Sequence, residues 1–173
     1  MVNDMDIVMV GRVGEDGILE IVKSHEAEIS GQYPKRYVSE GILGLEAQFG
    51  DDNCVRIMND AGADVFVTGR QGIYGALYRM GEALGTGLKV KLEAIPVRQF
   101  CIEMADRYGV SPYLISSLGC ILAVCEDGMR LADQLESNGY QACVIGYTTQ
   151  DNDRCVINGE TVTYLSPRDS IGE

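Results

Sequence analysis

Six consecutive apolar residues, Cys120-Ile-Leu-Ala-Val-Cys125, constrain this chain more than any other stretch. Six residues make only about one and a half turns of helix but a full-length strand. A continuous apolar run on a strand means burial on both faces, so the run predicts a central strand. The 173 residues around it fit one domain at about 150 per domain. A chain of this size buries roughly 70% of its unfolded surface without staples. Apolar residues make up 46% and charged residues 23% of the chain, the balance of a folded globular protein. No apolar stretch approaches the ~20 residues that span a bilayer, and no signal-type apolar segment follows Met1. Neither a membrane protein nor a Sec-exported one is expected, and the cytoplasm is the expected location.

Charge narrows the partners. Fourteen basic residues against 26 acidic ones give a net charge of −12. Nucleic-acid binding needs a cationic footprint that releases counterions, and no such cluster exists in the sequence. The acidity reads as solubility. The six cysteines, at 54, 101, 120, 125, 143 and 155, form no Cys-x-x-Cys pair and read as buried free thiols in a reducing compartment. Cys120 and Cys125, five apart on one strand, are expected on opposite faces. One histidine, His25, leaves neither a His-rich metal site nor a Ser-His-Asp triad. It reads as a packed or rim residue.

Strands and helices alternate along the chain. Asp6–Val10 is a short β run. Ile18, Val22, His25 or Glu26, and Ile29 then follow helical spacing until Tyr33-Pro34 breaks it. Residues 34–60 read as weakly patterned helix with Gly41, Gly44 and Gly50 as breaks. Ala63–Val67 is a second β run, and Ile73, Leu77, Met80 and Leu84 mark an amphipathic helix. Leu88, Val90 and Leu92 alternate with charged residues as in a half-buried strand. Pro96 is expected to open a helix carrying Val97, Cys101, Met104 and Tyr108, with Gly109 as its stop. Asp127 is expected to cap a helix through Leu131 and Leu135, closed by Asn138-Gly139. Tyr140–Tyr147 returns as a strand, and Asn158-Gly159 is a hairpin turn between 154–157 and 161–165. These elements predict an α+β fold, an α/β sandwich whose mixed, largely antiparallel sheet packs against helices.

Two glycine-bearing turns join a strand to a helix, the place where backbone N–H groups meet anions. In Gly11-Arg-Val-Gly14-Glu-Asp-Gly17, Glu15 and Asp16 repel an anion and suit a helix N-terminus, so a turn is the simpler reading. The segment Thr68-Gly69-Arg70-Gln71-Gly72 offers a hydroxyl, flexible backbone and a guanidinium. Both an anion-binding loop and an ordinary tight turn remain open for it. Glu46, Asp51 and Asp52 read as solvated carboxylates. Ser116-Ser117 suit capping better than binding. The residues suggest neither a catalytic group nor a metal ligand set.

The order of segments resembles a known family. Gly72–Glu82, Gly87-Leu-Lys-Val90 and Ala94-Ile-Pro-Val-Arg98 are similar to the C-terminal domain of the aminoimidazole ribonucleotide (AIR) synthetase superfamily. So are Gly109-Val-Ser-Pro-Tyr-Leu-Ile-Ser-Ser117 and the following Gly119-Cys-Ile-Leu-Ala-Val124. Ile145-Gly146 and the closing hairpin resemble its AIR synthase-related, hydrogenase-maturation branch. Asp6-Ile-Val-Met9 and Gly14-Glu-Asp-Gly17 match the domain's start. The likeness covers about 5–167, so residues 1–173 are expected to form a single domain.

The resemblance implies an ATP-dependent enzyme of ligase or dehydratase type. In such proteins an N-terminal half carries most ATP and magnesium ligands, and the C-terminal half closes over the nucleotide with a glycine-rich loop. Here Phe66-Val-Thr-Gly-Arg-Gln-Gly72 matches that loop, which makes Thr68, Gly69, Arg70, Gln71 and Gly72 the phosphate or nucleotide candidates. The loop's acidic position falls on Phe66, with Asp64 two residues earlier on the same strand face, which weakens the expectation of magnesium. The chain is expected to correspond to the second half alone, with the missing half as its partner and no cofactor held by itself. The alternative is a non-catalytic binding or assembly module with a degenerate phosphate loop.

Overall fold

In the computed structural model, residues 4–45 and 49–167 are described. Strand β1 (Asp6–Val10) runs into Gly11–Gly14 and then α1 (Glu15–Ser24) and α2 (Glu26–Gln32). His25 separates these two helices, so the expected single helix is broken at that residue. Its side chain is exposed and its ring packs at a 36° tilt on Tyr108 with centroids 4.4 Å apart, a rim position. Tyr33, in extended conformation, ends α2 ahead of Pro34, as expected. Helices α3 (Lys35–Leu45) and α4 (Asp52–Asp60) follow.

Gly41 and Gly44 do not break α3; they lie inside it. A Cβ on Gly41 would enter the Phe100 ring, and one on Gly44 would enter the Arg98 guanidinium. These glycines permit close packing rather than a bend. Asp51 caps α4 by accepting the Cys54 N–H at 2.9 Å, Asp52 is exposed, and Glu46 lies outside the described residues.

Strand β2 (Asp64–Val67), helix α5 (Gly72–Leu84) and strand β3 (Gly87–Lys91) come next. Ile73, Leu77 and Met80 are the buried stripe of α5, as the spacing predicts. Helix α6 (Gln99–Arg107) starts later than Pro96. The Pro96 carbonyl instead accepts the Val13 N–H at 2.9 Å, which ties the extended lead-in to the first turn. The six-residue apolar run gives strand β4 (Ile121–Cys125), buried at every position. Helix α7 (Gly128–Ser137) and strands β5 (Ala142–Thr149), β6 (Arg154–Asn158) and β7 (Thr161–Tyr164) complete the chain. The Asn158-Gly159 hairpin forms, with Gly159 at φ +61°.

The strands make one sheet in the order β2-β4-β1-β5-β3-β6-β7. Among the described residues β3 and β6 pair in parallel and every other neighbouring pair is antiparallel. The sheet is therefore mixed and largely antiparallel, and β4 is an interior strand one place from the β2 edge. Alternate side chains serve two cores. Ile7, Met9, Leu88, Val90, Leu122 and Val124 pack on α5, while Val8, Val10, Ile121 and Ala123 pack on α4 and α7. Cys120 joins the first core and Cys125 the second, opposite faces as expected. A third cluster joins α1, α2, α3 and α6 through Ile18, Val22, Ile29, Val38, Phe100 and Met104. No helix among the described residues is long and apolar enough to cross a membrane.

Candidate functional site

Antiparallel pairing brings the loops together. Val10 and Val67 both register with Ile121, so the C-terminal ends of β1 and β2 meet the N-terminal end of β4. The Gly11–Gly14 turn, the Thr68–Gly72 loop and the Ser111–Gly119 segment therefore share one end of the sheet. Backbone bonds join them. Thr68 N–H donates to Cys120 O at 3.0 Å, and Ser117 N–H donates to Gly69 O at 3.1 Å. Ser117 is 0% exposed, and its hydroxyl accepts the Gly14 N–H at 2.8 Å. Serine does cap here, but it caps the entry to a helix 103 residues away in sequence.

Thr68 is also 0% exposed, and its Oγ1 has no hydrogen-bond partner among the described residues. A buried hydroxyl without a partner costs free energy, on the order of 1–3 kcal/mol. Gly69 is half-buried with open space where a Cβ would stand. Arg70 is exposed and makes no hydrogen bond or ion pair among the described residues. Gln71 takes the position before α5 without a side-chain cap. Gly72, at φ +72°, is a conformation L side chains rarely adopt. A Cβ there would lie 2.6 Å from the carbonyl oxygens of both Tyr113 and Ile115. The 113–115 backbone thus sits directly on the start of α5, and the Tyr74 N–H donates to Tyr113 O at 3.2 Å. Gly72 N–H donates to Gly69 O. Part of this helix N-terminus is therefore already met by protein carbonyls.

The two acids of the first turn are turned inward. Glu15, 2% exposed, lies 3.0 Å from the guanidinium groups of both Arg12 and Arg98 and accepts from the Cys101 thiol. Arg98 also donates to Gly41 O at 2.7 Å, which ties α1 to α3 and α6. Asp16 accepts the Leu118 N–H at 2.8 Å and the Ser116 hydroxyl. Arg98 and the role of Asp16 carry no local sequence signal, because their partners are remote in sequence, whereas Arg12 meets Glu15 three residues on.

Burial holds the thiols in their protonated form. Burial first, then the nearby Asp16 and Glu15 carboxylates, push the Cys120 thiol up to about 12. Burial raises the other five as well, and all six are free. Phe66 pairs with Leu122 and packs into the α5-side core, while Asp64 is exposed at the far end of β2. Among the described residues no three His, Cys, Asp or Glu side chains gather to hold a metal ion. At the opposite end of the sheet, Met5, Asp60–Gly62, Cys125–Asp127, Arg130 and Gln134 line an open cleft of about 570 Å³.

No family model and no curated protein matches this sequence. The fold does match solved structures. HypE in a HypE–HypF complex aligns with a TM-score of 0.74 at 18% identity, over 95% of this chain and 53% of that one. The hydrogenase maturation protein HypE in complex with ATP gives 0.67 at 14%, over 96% and 51%. Thiamine-monophosphate kinase from Stenotrophomonas maltophilia gives 0.68 at 14%, over 90% and 50%. The chain spans about half the length of each of these proteins. Its α+β fold is thus that of about half of HypE and of about half of thiamine-monophosphate kinase.

Proposed function

We propose that this chain acts as the C-terminal half, or a separate subunit, of an ATP-dependent enzyme of the AIR synthase-related type. Thr68–Gly72 contacts the nucleotide phosphates, and a second half supplies most nucleotide ligands. The observation that carries the reading is the buried Thr68 hydroxyl, without a partner among the described residues, set between two strand-end loops beside Gly69 and the exposed Arg70. A phosphate oxygen would accept from loop amides, Arg70 would add a bidentate charged donor, and the Thr68 hydroxyl would join them once the loop shifts to uncover it. Val67 is 65% and Leu118 54% exposed at this same end, with Leu114 nearby in the chain. These are apolar side chains suited to cover by a second domain. HypE has been solved with ATP, which makes a nucleotide the natural ligand class for this fold. A cytoplasmic location belongs to the same proposal.

Magnesium fits these residues poorly. A phosphate-bridging magnesium needs hard oxygen ligands, and the position where the resembling loops carry an acid holds Phe66, next to last in β2. That favours the second reading, a binding or assembly module that retained the loop shape and lost turnover. The test joins this chain to the N-terminal half of its parent or partner and follows ATP hydrolysis with carbamoyl or amide substrates. The enzyme reading expects no turnover by this chain alone, turnover by the pair, and its loss in Thr68→Ala. ATP binding by the pair without turnover identifies the assembly module. Turnover by this chain alone overturns both.

A further inference from the structure

The Thr68–Gly72 loop is shaped by residues outside it. Ser117 touches both other loops, through its hydroxyl on Gly14 N–H and its amide on Gly69 O. The residues on either side of Ser117 are gripped by one carboxylate: Asp16 accepts the Ser116 hydroxyl on one oxygen and the Leu118 N–H on the other. The Gly17 N–H adds a bond to Ser116 O at 3.3 Å. Upstream of this grip, Tyr113 O receives Tyr74 N–H and the 113–115 backbone leaves no room for a Cβ on Gly72. A carboxylate with both oxygens engaged by fixed donors holds direction as well as distance.

We propose that Asp16 is the positioning residue of the Thr68–Gly72 loop, acting through Ser116–Leu118. It fixes where Ser117 presents its amide to Gly69 and where Tyr113 presents its carbonyl to α5. This inference rests on the loop being the ligand loop. Asp16 touches no ligand itself. Its charge, next to a loop that favours anions, is compensated because both oxygens face donors of the protein.

The test is amide hydrogen exchange on the ligand-free, isotope-labelled chain, followed by titration with inorganic phosphate. Variants are Asp16→Ala, Asp16→Asn and Asp16→Glu, with the exposed Glu40→Ala as control. Asp16→Ala is expected to speed exchange at the Ser117 and Tyr74 amides by about tenfold while Leu122 and Ala123 keep their protection, a local opening. Asp16→Asn keeps an oxygen for Leu118 N–H and is expected to recover most of that protection. Asp16→Glu keeps the charge but moves it by a methylene, and is expected to behave like Ala. If Asp16→Ala does not fold, the Asn and Glu pair decides the matter alone. Equal exchange in all variants, or faster exchange spread evenly into β4, overturns the positioning role. Phosphate without effect on the wild-type loop amides refutes the ligand reading, and the exchange data remain decisive for Asp16.

Discussion

Helices α5 and α7 each follow an interior or edge strand of the same sheet, and they begin in opposite ways. At α7, Asp127 caps its own helix by accepting the Arg130 N–H at 3.1 Å, and Asp6 accepts the Gly128 N–H at 2.9 Å. Two carboxylates already face the positive end of that helix. At α5 no side chain caps, the turn is a glycine at φ +72°, and the acceptor for Tyr74 N–H is the neutral Tyr113 carbonyl. A neutral acceptor satisfies a hydrogen bond but leaves the helix dipole without a counter-charge. The first start is finished by fixed anions; the second is finished by geometry, with no carboxylate among the described residues capping it.

The sharpest way to break the α5 start is Gly72→Ala. Positive φ costs a non-glycine residue about 1–3 kcal/mol, and overpacking adds a similar amount. The Cβ would meet carbonyl oxygens at 2.6 Å on backbone that is tied to Asp16. Urea denaturation is expected to show a loss of roughly 3 kcal/mol or more. Gly128→Ala at α7 meets the Asp6 side chain at 2.5 Å rather than backbone, and its loss is expected to be smaller.

Ser117→Ala comes next. It leaves the buried Gly14 N–H without its acceptor, a loss of about 2 kcal/mol. Threonine in place of serine keeps the oxygen, and a melt that ranks Ser117→Thr below Ser117→Ala would contradict the capping role. Asp127→Ala is expected to cost about 1 kcal/mol, the ordinary worth of a local cap. Asp127→Asn should recover most of it. Equal losses at 117 and 127 would erase the difference between a buried, distant cap and an exposed, local one.

The same contrast explains what the sequence made legible. The Asp127 cap, the Asn158-Gly159 hairpin, the α5 stripe and the fully apolar β4 are local patterns, and each forms where its residues predict. The loop Thr68–Gly72 was visible because glycines cluster between a strand and a helix. Its tether to Asp16 through Ser117 was not, since the bonds from Asp16 and Gly14 to 116–118 span a hundred residues or more and depend on β1 and β4 lying side by side. Arg98 gives no signal for the same reason: its partners Glu15 and Gly41 belong to other helices. Gly41 misled in the other direction, since a glycine that lets Phe100 approach looks in sequence like a helix break. Pro96 misled likewise, because its carbonyl is needed by Val13 before the helix can start.

The smallest expected effect on stability is the most informative about function. Arg70 is exposed and pairs with no described residue, so Arg70→Ala is expected to leave the urea midpoint within about 0.5 kcal/mol of wild type. Its effect on an anion is expected to be large. In this chain alone, the loop must overcome the hydration of phosphate with a few hydrogen bonds and one guanidinium. Binding is therefore weak, and millimolar phosphate should shift the amide signals of Gly69–Gly72. Removing the one side-chain cation of the loop should abolish those shifts. Magnesium should not strengthen them, since Phe66 offers no ligand. The amides at the start of α7 should stay unmoved throughout, because Asp127 and Asp6 already occupy the place an anion would take. Shifts at α7 equal to those at α5, or shifts at α5 that survive Arg70→Ala, would make Thr68–Gly72 an ordinary turn.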